Sequence, residues 1–125
     1  MNLETIELKA FVPASDFELG KRFYRDLGFN IPWSSDELAY LYAGNCGFLL
    51  RDIHGRTIAE PFMLHLLVED VASWWQRVQE QRLAERYGVR AEPPGDRPWG
   101  VREFVLGDPS GVEWRIGTSI AQLGR

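Results

Sequence analysis

The order strand–helix–strand–strand–strand can be read twice along this 125-residue chain, and no other feature restricts its fold as much. Residues 5–12 are rich in β-branched and apolar side chains and stop at Pro13, which predicts a strand. Ser15-Asp16-Phe17-Glu18 has the form of a capping box, with Ser15 as cap. Phe17, Gly20, Phe23, Tyr24 and Leu27 follow at helical spacing, and Gly28 ends the helix. Gly20 inside a helix costs roughly 1 kcal/mol against alanine, so close packing on a sheet is expected there. Residues 29–33, 37–42 and 46–52 predict three short strands, the last two joined by the turn Ala43-Gly44-Asn45.

The order then restarts. Residues 53–60 are polar and glycine-bearing. Residues 62–68 predict a strand, Asp70 caps a helix with the stripe Val71, Trp74, Trp75 and Val78, and that helix is expected to run toward Glu85. Strands are expected over 88–92, 102–106 and 112–117. The echo of Phe48-Leu49-Leu50-Arg51 in Val112-Glu113-Trp114-Arg115 supports the duplication. Modules of about 55 residues are marginal alone. The fold class is therefore α+β, one domain over 1–125. Module one spans about 1–53, the linker 54–60, module two 61–117 and the tail 118–125, where disorder is expected.

Three phrases carry a resemblance. They are Phe23-Tyr24-Arg25-Asp26-Leu27-Gly28-Phe29, Val68-Glu69-Asp70-Val71, and Pro98-Trp99-Gly100 through Asp108-Pro109-Ser110-Gly111. With the doubled βαβββ order, they make the chain resemble the vicinal oxygen chelate superfamily, which holds glyoxalase I, extradiol dioxygenases and bleomycin-resistance proteins. The last phrase is most similar to the bleomycin-resistance branch, with Val101 a small departure. The resemblance implies curved mixed sheets around a cavity and a homodimer with ligand sites near the subunit interface.

Enzymes of that superfamily hold a divalent metal on four side chains. Carried onto this sequence, the four positions fall on Lys9, Arg51 (or Leu49), Met63 and Arg115. Cations repel a metal ion, and none of these four is an ordinary ligand for one. The resemblance then implies a binder without metal or other cofactor and without catalytic residues, which sequesters a small molecule such as an antibiotic. If Lys9, Arg51 and Arg115 point inward, the former metal centre becomes a positive pocket for an organic anion. Alternatively they pair with Glu7, Glu103 or Glu113. Glu7, His65 and Glu113 each lie two residues from a ligand position, hence on the same strand face. They are the set a shifted metal site would use in a metal-dependent lyase, dioxygenase or thiol transferase.

The candidate ligand-binding residues are thus Lys9, Phe11, Trp33, Arg51, Met63, His65, Trp99 and Arg115. Trp33 and Trp99 can stack planar groups at a cavity mouth or plug the sheet. Phe11, Tyr40 and Trp114 also suit plain sheet packing, and His65 can be a quiet strand histidine. His54 falls in the linker, and Cys46 has no activating base nearby.

Composition narrows the partners. Hydrophobic residues at 45% and aromatics at 13% suffice for a core, which argues against a disordered chain. A net charge of −4 with scattered Lys and Arg argues against nucleic acid. No apolar run suggests a membrane span, no signal segment is evident, and a single cysteine fits a reducing, cytoplasmic setting.

Overall fold

Asp16, not Ser15, caps the first helix of the computed structural model, which describes residues 1–123. Asp16 Oδ1 accepts from Leu19 N at 3.1 Å. Ser15 is drawn elsewhere: its hydroxyl donates to Arg56 O at 2.5 Å, and its N–H donates to Ser110 Oγ at 2.8 Å. Helix α1 spans Phe17–Leu27 and stops at Gly28, whose φ of 127° suits glycine. An ideal Cβ on Gly20 would lie 3.3 Å from Leu50 Cδ2 and 3.5 Å from Ala14 Cβ, so the helix does approach its sheet closely.

The first sheet has the order β1-β4-β3-β2, from β1 (Phe11–Ala14), β2 (Asn30–Ser34), β3 (Leu38–Ala43) and β4 (Cys46–Asp52). The second repeats it as β5-β8-β7-β6, from β5 (Met63–Leu67), β6 (Ala91–Asp96), β7 (Val101–Gly107) and β8 (Glu113–Ser119). In each, the first strand runs parallel to the last and the others pair antiparallel. Two four-stranded mixed sheets, each with its helix, make the α+β architecture that the doubled order predicts.

The boundaries depart most from expectation at β1, at the end of α2, at β6 and in the tail. Strand β1 begins at Phe11 rather than Thr5 and runs through Pro13. Leu49 N bonds Ala10 O and Ile53 N bonds Ala14 O, so Pro13 turns its missing N–H to the open edge of the sheet. Residues 1–9 form no strand, and Ile6 and Leu8 stand fully exposed; apolar composition alone does not make a strand. Helix α2 covers only Val71–Glu80, with Asp70 as cap, and a separate helix α3 follows over Leu83–Tyr87. The break falls at Arg82, in the left-handed region at φ 51°. It lets Arg86 and Tyr87 reach Asp26 Oδ2 at 2.8 and 2.6 Å.

Strand β6 lies at Ala91–Asp96, later than the expected 88–92, and includes Pro93 and Pro94. The register slips between Glu92 and Gly95, and a slipped edge strand tolerates prolines. The last departure is the tail. Strand β8 runs to Ser119, a short helix α4 covers Ile120–Leu123, and buried Thr118 accepts from Val71 N through Oγ1 at 2.8 Å. Residues 124 and 125 of the expected disordered tail lie outside the described residues. No described helix is long and apolar enough to cross a membrane.

One apolar cluster takes in both sheets. Val12, Phe48 and Leu50 come from the first, and Leu66, Phe104, Trp114 and Ile116 from the second. Tyr24 joins them, with ring centroids 5.1 Å from Phe48 and 5.7 Å from Trp114. Of the adjacent tryptophans, Trp75 packs on Phe104 at 5.1 Å and Trp74 on Phe29 at 6.0 Å.

Candidate ligand site

Alternation along each strand sorts side chains into a core face and an outward face. In β4, Phe48 and Leu50 go to the core, leaving Leu49 and Arg51 outward; in β3, Ala39 and Leu41 go in, leaving Tyr40 and Tyr42 outward. Trp33 pairs across from Tyr40, and Phe11 across from Leu49. The outward face of the first sheet is therefore aromatic. Phe11 is 57% and Trp33 52% exposed, and Tyr40 and Tyr42 stack with centroids 6.0 Å apart at 19°.

Lys9 stands over this face, 5.4 Å from the Tyr40 ring centroid and 3.1 Å from Glu7 Oε1. Tyr40 donates to Glu7 Oε2 at 3.0 Å, a bond that, with some desolvation, raises the Tyr40 pKa above its ordinary value. Gly47 makes the arrangement possible, since a Cβ there would come within 2.9 Å of both Glu7 Oε2 and the Tyr40 ring. Arg51 is exposed on the same face.

The outward face of the second sheet is polar. His65 pairs across from Arg115 and Met63 across from Glu113. Arg115 donates from Nε to Glu113 Oε2 at 3.1 Å and from Nη1 to Glu103 Oε2 at 3.4 Å. The Glu113 bond first, then the Glu103 bond, hold its pKa above the usual guanidinium value. Glu113 Oε1 also accepts from Arg90 at 2.9 Å. Trp99 Nε1 donates to Glu103 Oε1 at 2.8 Å, and His65 Nε2 lies 4.0 Å from the same oxygen. Glu103 itself is 0% exposed.

Gly117, opposite Glu103 on β8, has no room for a side chain. A Cβ would lie 2.6 Å from Arg102 O and 2.7 Å from Glu103 Cβ. Substituting Gly117→Ala is expected to lower stability by about 2 kcal/mol, as overpacking does. Urea titration of the variant checks this; an unchanged midpoint would show that β7 and β8 yield freely.

The eight predicted residues do not form one pocket within the chain. Lys9, Phe11, Trp33 and Arg51 share the first outward face, and Met63, His65, Trp99 and Arg115 belong to the second. The common core lies behind both, so the two faces look away from it. Across the two faces, only Lys9 and His65 of the eight border a common groove, an apolar one of about 530 Å³ lined by Phe29, Phe48 and Trp114.

The expected positive pocket is corrected too. Lys9 and Arg115 are each paired with carboxylates, as the alternative reading had it: Glu7 lies two residues before Lys9, Glu113 two residues before Arg115 on β8, and Glu103 diagonally across on β7. The Glu7, His65 and Glu113 set is likewise split, with Glu7 held by Tyr40 and Lys9 on the first face. Among the described residues, no three His, Cys, Asp or Glu side chains converge to hold a metal ion. The donor set at the four superfamily positions, two cationic side chains on one face and a thioether and a guanidinium on the other, does not fit a divalent metal.

Sequence reasoning missed Tyr42 altogether and took Tyr40 for sheet packing, although Tyr-Leu-Tyr after Ala39 alternates ring and aliphatic. It treated Glu103 only as a counter-ion, although a lone acid within Val101–Gly107 is itself a signal.

A family model described as the glyoxalase/bleomycin resistance protein/dioxygenase superfamily matches residues 8–116. The chain belongs to this superfamily. Among solved members of the fold, a bleomycin-binding protein complexed with bleomycin superposes with a TM-score of 0.78 at 22% identity, over 92% of this chain and 99% of that one. A bleomycin resistance determinant encoded on the transposon Tn5 gives 0.74 at 23% identity, over 92% and 98%. A lactoylglutathione lyase from Agrobacterium tumefaciens gives 0.69 at 19% identity, over 98% of each chain. These likenesses establish the superfamily fold. A search of curated proteins gives no match.

Proposed function

We propose that this superfamily member binds and sequesters a small, partly planar organic molecule without a metal. In this reading the chain acts as one domain, with modules 1–53 and 61–117 joined by the linker 54–60, and works as a homodimer. The aromatic outward face of module one in one copy closes over the polar outward face of module two in the other. The observation that carries this is the aromatic wall on which Phe11 and Trp33 are exposed beside the half-buried, stacked Tyr40 and Tyr42. Large aromatic surface left in water is a common mark of a binding face. The faces also differ in charge balance, with Lys9 and Arg51 against Glu7 on one, and Glu92, Glu103 and Glu113 against Arg90 and Arg115 on the other.

A thermal-shift screen tests the reading. Planar aromatic antibiotics, bleomycin among them, and aromatic carboxylic acids are the ligands, and Ni, Mn, Zn and Fe salts are run in parallel. Binding to the folded state raises the melting temperature by mass action. The expected result is a saturable shift with an organic compound, abolished by Trp33→Ala, from a dimer in sedimentation equilibrium. A stoichiometric metal that is lost with His65→Ala would instead make the chain a metal-dependent enzyme of the superfamily.

A further inference from the structure

Glu103 is a fully buried carboxylate on the outward face of the second sheet, where Met63 and His65 are exposed. It lies in β7 between two glycines, Gly95 on one neighbouring strand and Gly117 on the other. At Gly117 a side chain would strike Glu103 Cβ, at 2.7 Å, so this glycine lets β8 lie close against the residue. Three of the four module-two candidate residues converge on it: Trp99 bonds Oε1, Arg115 bonds Oε2, and His65 stands 4.0 Å from Oε1. The other buried acid of the described residues, Asp108, serves Tyr24 and its own turn, so Glu103 alone is committed to the outward face.

We propose that Glu103 is the positioning residue of this face, fixing the Trp99 indole and the Arg115 guanidinium to receive a flat group that carries a hydrogen-bond acceptor. The proposal rests on the small-molecule reading above. Trp99 is 60% exposed, yet its N–H is held, so the ring stands as a shelf with a fixed edge. Arg115 spends Nε on Glu113 and Nη1 on Glu103, and among the described residues Nη2 has no protein partner. That nitrogen is left to donate to a carbonyl or carboxylate oxygen. Because two carboxylates already neutralise the guanidinium, the ligand group need not be an anion. A residue locked in this way by a buried partner gains precision at low entropic cost.

The test uses Glu103→Gln, Glu103→Ala and, for assignment, Trp99→Phe in the full chain. In ligand-free 1H–15N spectra, the Trp99 indole N–H peak is expected to stay close to its wild-type place in Glu103→Gln, where an oxygen acceptor remains. In Glu103→Ala it is expected to move to the position of a free, rapidly exchanging indole. Bleomycin is the probe for the binding arm. Its dissociation constant is expected to rise about tenfold or more in Glu103→Ala and less in Glu103→Gln, the range expected when a hydrogen bond to a charged group is lost. A folded Glu103→Ala with an unmoved Trp99 peak, or with unchanged bleomycin affinity, overturns the proposal. If bleomycin does not bind the wild-type chain, that counts against bleomycin as ligand, and the spectra alone decide the role of Glu103.

Discussion

Replacing Asp108 by alanine is expected to remove about 3 kcal/mol of stability, because it strands two buried donors at about 1–3 kcal/mol each. Asp108 Oδ2 accepts from the Tyr24 hydroxyl at 2.6 Å, and Oδ1 accepts from Ser110 N at 2.8 Å and Val112 N at 2.9 Å. Tyr24 in turn accepts from Trp114 Nε1 at 2.8 Å. A helix of module one is thereby latched to the Asp-Pro-Ser-Gly turn and to β8 of module two. Tyr24→Phe breaks the same chain from the other end, with an expected loss of about 2 kcal/mol. Urea unfolding of both variants and their double mutant checks this: one network requires the double mutant to cost less than the sum. Additive losses would mean that the two residues act separately.

The latch also sets a pH dependence. Burial first, then the charge of and hydrogen bond to Asp108, raise the Tyr24 pKa well above its ordinary value of 10.0. Above that pH the unfolded chain releases this proton while the folded chain keeps it, so stability falls as pH rises. Stability curves of the wild type are therefore expected to drop more steeply above pH 10.0 than those of Tyr24→Phe. Equal slopes would remove Tyr24 from the account.

Mixing two crippled copies is expected to restore binding that neither has alone. Trp33→Ala damages the face of module one and Trp99→Ala that of module two. Each homodimer should bind the best compound of the screen about thirtyfold more weakly, the effect of losing an aromatic anchor worth about 2 kcal/mol. In the mixed dimer one cavity carries both substitutions and the other carries neither. Calorimetry should then show one site per dimer at wild-type affinity. If the site were built within a single chain, both sites of the mixed dimer would stay weak.

Much of this was open to a reader of the sequence. The helix stripes of Phe17–Leu27 and Val71–Glu80, the turn at Gly44 and both hairpins follow from local periodicity and turn chemistry, which need no partner. The phrase from Pro98 to Gly111 pointed to the superfamily. What escaped was non-local. The start of β1 depends on where β4 offers backbone, and the break at Arg82 on the pull of Asp26. The shift of β6 depends on a slipped edge that admits Pro93 and Pro94.

The candidate site divides along the same line. The sequence by itself determined which residues share a strand face, because side chains alternate with a period of two whatever the strand packs against. Met63 with His65, and Glu113 with Arg115, were grouped correctly on that ground alone. Only the tertiary structure decided that the two faces look away from one shared core, and that Arg115 spends its charge on Glu103, 12 residues earlier. The reason is physical. Alternation is fixed by the covalent chain, whereas the direction of a face and the partner of a charge depend on which distant strand comes alongside.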